Sequence, residues 1–508
     1  MSRIAVATTS QRAADAAREI ADAGGNAVDC ALAAALVTIN TEPSVCALAG
    51  SAFITIWPAD GDPVTIDGNV AVPGSDLSAS QRGRGAVEVE INYGGGITTL
   101  VGAGAVAIPG TLAAIEYASE KYGSVPWRTL FEPTIRDCRN GFALPAACRY
   151  YLGFSSDRIF NRSKDGFDVL HHADGTLLDA GERVILADLA NSLEAIANDG
   201  AAVFYRGEIA AAIVDHCRRG DGALTAADMA NYRAVERAPL LVDIGDWRIA
   251  SNPPPAVGGT VLAAMLLACA DLPTAGWTGA ALEQLIATQR ACLDFRRRHL
   301  DLADDIGAAS KRLLERVRNG QLLSRWTSSS TVQTSVVDDS GGGCSITASS
   351  GYGSGEMPAG TGLWLNNCLG EIELNRRGLD AGPIGARLPS NMAPSVGRGP
   401  DGVLAVGSPG ADRITTALQQ FLLNYLQFKM PLRDAIAHPR LHVDTSGEEV
   451  RLMAEPGHDL PDLDLPLHQF TELVMYFGGV SAAVFDRATG FDAAADPRRE
   501  GGVFVSNR

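Results

Sequence analysis

Thr331-Val332-Gln333-Thr334-Ser335-Val336-Val337-Asp338 follows directly on a loop-like run, Thr327 to Ser330, at the point where the chain turns from helical to strand-like patterning. Its loose alternation, the turn cluster Asp339 to Gly343 and the run Cys344 to Ser350 predict two strands joined by a turn. A threonine at the head of such a strand has a chemical use that it lacks elsewhere. If the Ser330–Thr331 bond is cut, Thr331 gains a free α-amino group beside its hydroxyl, and one residue then supplies both nucleophile and base. Taken alone, the octapeptide fits an ordinary strand threonine after a serine loop better than a self-cleavage site.

Working outward, the second half also carries one long helix, with Ile414, Leu418, Phe421, Leu422, Tyr425 and Phe428 on one face and Pro431 ending it. Val480 to Phe485 and Gly502 to Val505 read as a further strand pair. Before residue 320 helical patterns dominate. Asn26 caps a helix carrying Val28, Leu32, Leu36 and Ile39, after the stop signal Gly24-Gly25 of an earlier one, so the start of the chain reads as helical. Ala52 to Trp57 and Pro63 to Asp67 predict a hairpin, and Leu240 to Ser251 a second around Gly245-Asp246. Helices are expected to end at Gly123 and Gly220, and another to start at Gly258-Gly259. Strands before and after helices in this order suit helices layered over sheets rather than a barrel.

Composition narrows the class. The 508 residues exceed the usual single-domain size, although one large α/β unit can hold most of them. A 46% hydrophobic fraction with 20% charged residues excludes a disordered or fibrous chain. The net charge of -17 argues against a nucleic-acid partner, which needs Lys and Arg to neutralise phosphates. The run Arg296-Arg297-Arg298-His299 reads as cations complementing a helix dipole. The N-terminus lacks the apolar core of a secretory signal and no window approaches membrane-spanning length, which predicts a cytoplasmic protein with no membrane partner. Nine cysteines without a C-x-x-C pair fit neither a disulfide framework nor a zinc site and are expected in the core.

Collinear landmarks then become recognisable: Gly25-Asn26-Ala27-Val28-Asp29, Pro109-Gly110-Thr111, Tyr122-Gly123, Pro126-Trp127, Phe204 to Ile209 and Asn252-Pro253-Pro254-Pro255 with Gly258-Gly259. Ser335 to Asp338, Pro358 to Asn367, Gly407-Ser408-Pro409-Gly410 and Ala495 to Arg499 follow. In this order they resemble the γ-glutamyltranspeptidase family of N-terminal-nucleophile (Ntn) hydrolases over nearly the whole chain. The resemblance implies a four-layer αββα sandwich built jointly by a large subunit, residues 1–330, and a small one, 331–508, cut before Thr331. It implies Thr331 as nucleophile and Gly410-Ala411 as oxyanion hole, alanine replacing the second glycine. That retains the N–H but needs a backbone that tolerates a Cβ.

Substrate recognition departs from the family pattern. Asn69 stands where the family has the arginine that clamps the substrate α-carboxylate. Ser390-Asn391 replaces a pair of serines on the same group, Glu371 stands near the aspartate for the α-amino group, and Cys368 replaces a polar amine contact. Ser349 is expected to keep the hydroxyl role of a neighbouring threonine. Val332 and Gln333 stand for a Thr-His pair, which places Gln333 among the substrate-binding candidates and removes a histidine beside the nucleophile.

Gly102 to Ala107 fits the glycine spacing of a dinucleotide fingerprint, but Pro109-Gly110 interrupts the helix such a site requires. His171-His172 lies on an Asp/Gly-rich loop and reads as solvated, so no metal and no cofactor are implied. The expected activity is γ-glutamyltranspeptidase-like cleavage of a small-molecule amide through a threonyl acyl-enzyme, resolved by water or an amine. Alternatives are a specialised Ntn acylase or amidohydrolase for a small acyl amide or secondary-metabolite precursor, and an inactive scaffold homologue.

Overall fold

Every residue from Val332 to Asp338 is buried, because this strand lies in the interior of a sheet whose two faces are both covered. The computed structural model describes residues 2–92, 96–319, 331–372, 374–379, 382–445 and 449–506; Ser330 and the loop before it lie outside the described residues. Two antiparallel sheets form the centre. Their strands are β1 (Ile4–Thr8), β2 (Ser51–Trp57), β3 (Val64–Gly68), β4 (Val235–Arg237), β5 (Leu240–Ile244), β6 (Trp247–Ser251) and β7 (Val332–Asp338). The rest are β8 (Gly343–Ser349), β9 (Ser395–Arg398), β10 (Gly402–Gly407), β11 (Ser481–Asp486), β12 (Gly490–Ala495) and β13 (Gly502–Val505). The seven-stranded sheet runs β13-β1-β7-β8-β2-β3-β4 and the six-stranded sheet β12-β11-β10-β9-β6-β5.

Helices α1 (Gln11–Asp22), α2 (Ala27–Thr41), α3 (Thr111–Tyr122) and α4 (Trp127–Asn140) share one core with the first sheet. Asn26 caps α2 in a reciprocal box with Asp29, as its sequence signature predicts. On the opposite side α5 (Gly258–Ala268), α6 (Gly279–Phe295) and α7 (Arg413–Leu422) pack Leu262, Leu285 and Leu418 onto Ile249, Leu404 and Val406. Between the sheets lie small residues, among them Ala5, Ala7, Ala405 and Ala483, which let the layers approach closely. The result is the expected αββα sandwich, with both predicted halves contributing strands to both sheets.

Three sequence expectations need correction. The chain opens with strand β1, not a helix: Ile4 to Thr8 is buried on both faces, so it shows no alternation that would distinguish it from a helix. The runs at Val480 and Gly502 do form strands, but they do not pair with each other. Residues of β11 pair with β10 and with the unforeseen β12, while β13 pairs with β1, Thr8 opposite Gly502. Arg296 does stand at the end of α6, but it is more than a cation complementing the helix dipole; it is buried, with Nε 3.0 Å from Asp301 and Nη1 bonded to Asp412. Burial opposes its charge, and the two carboxylates outweigh that effect and hold its pKa above the ordinary value.

All nine cysteines are buried and free, as expected of core residues. Ala103–Ala105 forms a short 3-10 turn rather than the start of an α-helix. His172 contacts Glu182 on the surface, and no cluster of potential metal ligands occurs among the described residues.

Candidate active site

Thr331 stands one residue ahead of β7, on the side of that strand that faces the second sheet, and is 3% exposed. It lines a narrow cleft together with Asn69, Ser349, Cys368, Glu371, Ser390, Asn391 and Ala411. Eight residues singled out across more than 300 positions of sequence thus converge on one space.

Backbone fit explains how the landmarks build this cleft. Asn69 follows β3 in an Asx turn, its N–H donating to Asp67 Oδ1 at 3.0 Å. Tyr232 Oη donates to its carbonyl at 2.5 Å. The Asn69 amide also donates one N–H to the Leu388 carbonyl at 2.6 Å, leaving Oδ1 and its second N–H as its remaining polar groups. Asn252 Nδ2 donates to the Met392 carbonyl at 2.7 Å, and a Cβ on Gly258 would lie 2.1 Å from the Asn391 carbonyl oxygen. The Asn252 and Gly258-Gly259 landmarks therefore allow a helix to back directly onto the Ser390-Asn391 loop. Asn366 ties the segment before Cys368 to Ala49 and Ala107.

Across the cleft, Gly410 has φ +121° and Ala411 φ +69°. Only glycine fits at 410, where a Cβ would lie 2.6 Å from Gly478 Cα. Ala411 adopts the left-handed conformation that glycine occupies without strain, at a cost of about 1 kcal/mol. Ala411→Gly should therefore stabilise the protein by about 0.5–1 kcal/mol, seen as a higher urea midpoint at unchanged slope. A lower midpoint would show that no strain is stored there. Among the described residues nothing accepts the N–H of Gly410 or Ala411, which precede α7, whose N-terminal end favours negative charge.

Asn391 Nδ2 donates to Asp412 Oδ1 at 2.5 Å, on the carboxylate held by Arg296. Asn391 Oδ1 and Asp412 Oδ2 are buried acceptors without a donor among the described residues. Glu371 contacts the Cys368 thiol, whose pKa rises well above its ordinary value through burial and then the Glu371 charge, so Cys368 is no thiolate nucleophile. No Lys, Arg or His lines the cleft among the described residues.

Gln333 is the misplaced candidate. It points between the sheets, not into the cleft: Nε2 donates to Ser335 and Ser345 Oγ at 3.0 Å each, and Thr347 donates to Oε1 at 2.6 Å. Ser335 and Ser345 in turn donate to the Ser481 and Val406 carbonyls of the facing sheet, both at 2.9 Å. Gln333 thus locks the two sheets together: it shares the face of β7 with Thr331 but lies two residues deeper between the sheets, which side-chain type alone does not signal. Arg296, Asp412, Tyr232 and Ser51 were missed. Of these, only the acid-bounded arginine run carried a signal, since a buried arginine requires carboxylates nearby.

A sandwich of this layering, with its cleft at the head of a central strand, is the architecture of the Ntn hydrolases, and that is the class to which the chain belongs. Within it the chain is a member of the Gamma-glutamyltranspeptidase family, whose sequence profile matches residues 13–506. A glutathione hydrolase proenzyme of Pseudomonas sp. (strain A14) is 28% identical over 486 residues, covering 88% of this chain and 83% of that one. An acylase ACY 1 proenzyme of Pseudomonas sp. (strain V22) is 28% identical over 536 residues, 98% of this chain and 93% of that one. The cephalosporin acylase structure from Bacillus halodurans shares the fold with a TM-score of 0.78 at 22% identity, covering 100% of this chain and 96% of that one.

Proposed function

We propose that this hydrolase or transferase cleaves amides whose acyl group carries no α-carboxylate, through an acyl-enzyme on Thr331. The observation that carries the substrate reading is that no Lys, Arg or His among the described residues lines the cleft, while one N–H of the Asn69 amide is already engaged by Leu388. Asn69 Oδ1, Asn391 Oδ1 and the Glu371 carboxylate offer acceptors in this cleft, which suit an ammonium or another N–H donor on the acyl chain. Thr331 Oγ1 attacks the amide carbon, its freed α-amine takes the hydroxyl proton, and the Gly410 and Ala411 N–H groups receive the developing oxyanion. The amine then protonates the leaving nitrogen, and water or an acceptor amine releases the acyl group. The acylase relative, matching 98% of this chain, supports the same reading of a changed acyl site.

A lost charged hydrogen bond costs about 1.5–3 kcal/mol, roughly ten- to a hundredfold in affinity. A γ-glutamyl anilide should therefore be turned over less efficiently than the 4-aminobutyryl anilide, which is the same acyl group without its carboxylate. Asn69→Arg should improve γ-glutamyl binding by roughly tenfold. A wild-type micromolar KM for glutathione would overturn this reading. Labelling of Thr331 by an electrophilic amide analogue would separate an enzyme from an inactive scaffold.

The base assignment makes its own prediction. The α-amine titrates ordinarily near ~7.7–8.0, and burial lowers it by disfavouring the charged form. kcat/KM should rise with pH along one ionisation at or below about 8. Burial pushes His442 down to about 3 and lowers His438 as well. Replacing either histidine should leave the rising limb in place. Its disappearance in a folded, cleaved variant would move the base role to that histidine.

A further inference from the structure

Behind Asn69, outside the cleft, lies a second cavity of about 350 Å³, walled by Arg233, Arg237, Arg387, Tyr232, Asp228 and Ser75. We propose that it binds a small oxyanion-bearing metabolite, through carboxylate or phosphate groups held by the three guanidinium groups. Its volume lies within the range of small-molecule sites, about 300–1,000 Å³.

The charge arrangement is built rather than incidental. Arg387 lies over the Tyr232 ring, 4.2 Å from its centroid, with Nη2 donating to the Arg233 carbonyl at 2.5 Å. Arg237 Nε donates to Asp67 Oδ2 at 2.8 Å, and Arg387 Nε lies 3.5 Å from Asp67 Oδ1. Asp67 is buried and also accepts the Asn69 N–H. Asp228 is saturated by the N–H groups of Gly74, Ser75 and Thr225 and by the Thr225 hydroxyl. Glu236 points to the other face of β4, onto Lys121 and Tyr122. Three cations therefore face two occupied carboxylates, a local positive surplus in a chain of net charge -17.

Each guanidinium has five N–H donors in a fork that matches carboxylate and phosphate oxygens, and most of these are unengaged by the described residues. The wall is shared with the cleft. Tyr232 and Asp67 hold the Asn69 backbone, and Arg387 precedes Leu388, which holds its side chain. An anion drawing on Arg387 would thus bear on the residue that lines the acyl site.

Calorimetric titration of the full chain with pyrophosphate and with citrate tests the site. Saturable binding of either probe is expected, and which probe binds more tightly distinguishes phosphate from carboxylate recognition. Arg233→Glu and Arg387→Gln should each weaken it by about tenfold or more, with unliganded melting curves confirming folded variants. Arg233 suits the test because its hydrogen bonds among the described residues reach only backbone carbonyls. Binding should persist in Thr331→Ala, so it stands or falls independently of the proposed chemistry. No saturable binding of either probe, or binding that both variants leave within twofold, would overturn the proposal.

Discussion

Thr331→Ala is expected to abolish turnover, by about a thousandfold or more, and to leave one uncut chain. Wild-type protein should instead give two chains, residues 1–330 and 331–508, of about 34.5 and about 18.6 kDa in proportion to the 53.1 kDa total. The expectation joins two roles in one residue: the hydroxyl that attacks the substrate is also the group that would attack the preceding peptide bond. The two chains should stay together without disulfides, because β7 pairs on one side with β1 and on the other with β8, which pairs with β2. Intact-mass measurement showing an active, uncut wild-type chain would sink self-cleavage, and substantial turnover by Thr331→Ala would sink the nucleophile.

Glu455→Ala is expected to destabilise the fold by about 3–5 kcal/mol, the largest effect on stability foreseen for a single side chain here. Glu455 is fully buried and accepts Arg498 Nε at 2.7 Å, the Arg440 N–H at 2.8 Å and the Val474 N–H at 3.0 Å. Its removal leaves Arg440 and Arg498 buried with Asp496 as their one remaining carboxylate partner among the described ion pairs. Asp496 also accepts the Val480 N–H at 2.8 Å, and Arg440 donates to the Phe477 carbonyl at 3.2 Å. The network thereby fixes the Gly478 turn on which Gly410 rests. Denaturant unfolding in the uncut Thr331→Ala background avoids subunit dissociation. The exposed pair Arg3–Asp339 provides the contrast, since Asp339→Ala should cost less than about 1 kcal/mol. A loss below that for Glu455→Ala would show that the network contributes little.

Much of the site was legible because its residues are tied to local signals. Asn26 before an apolar helical run, Gly123 and Gly220 after one, and Gly258-Gly259 after a proline run mark boundaries that depend on backbone chemistry within a few residues. Ala411 shows how far such signals reach. Its N–H could be inferred from its place beside Gly410, but the strain of φ +69° follows from how the turn closes on Gly478.

The sequence by itself determined the α/β class and the strand headed by Thr331, since each rests on residue type and short-range order. Only the tertiary structure decided that β1 and β13 are partners, that Gln333 locks the sheets instead of meeting substrate, and that Arg296 is buried between Asp301 and Asp412. Strand partners hundreds of residues apart, the buried face of a doubly covered strand and the neutralisation of a buried charge are all set by groups brought together only when the layers close.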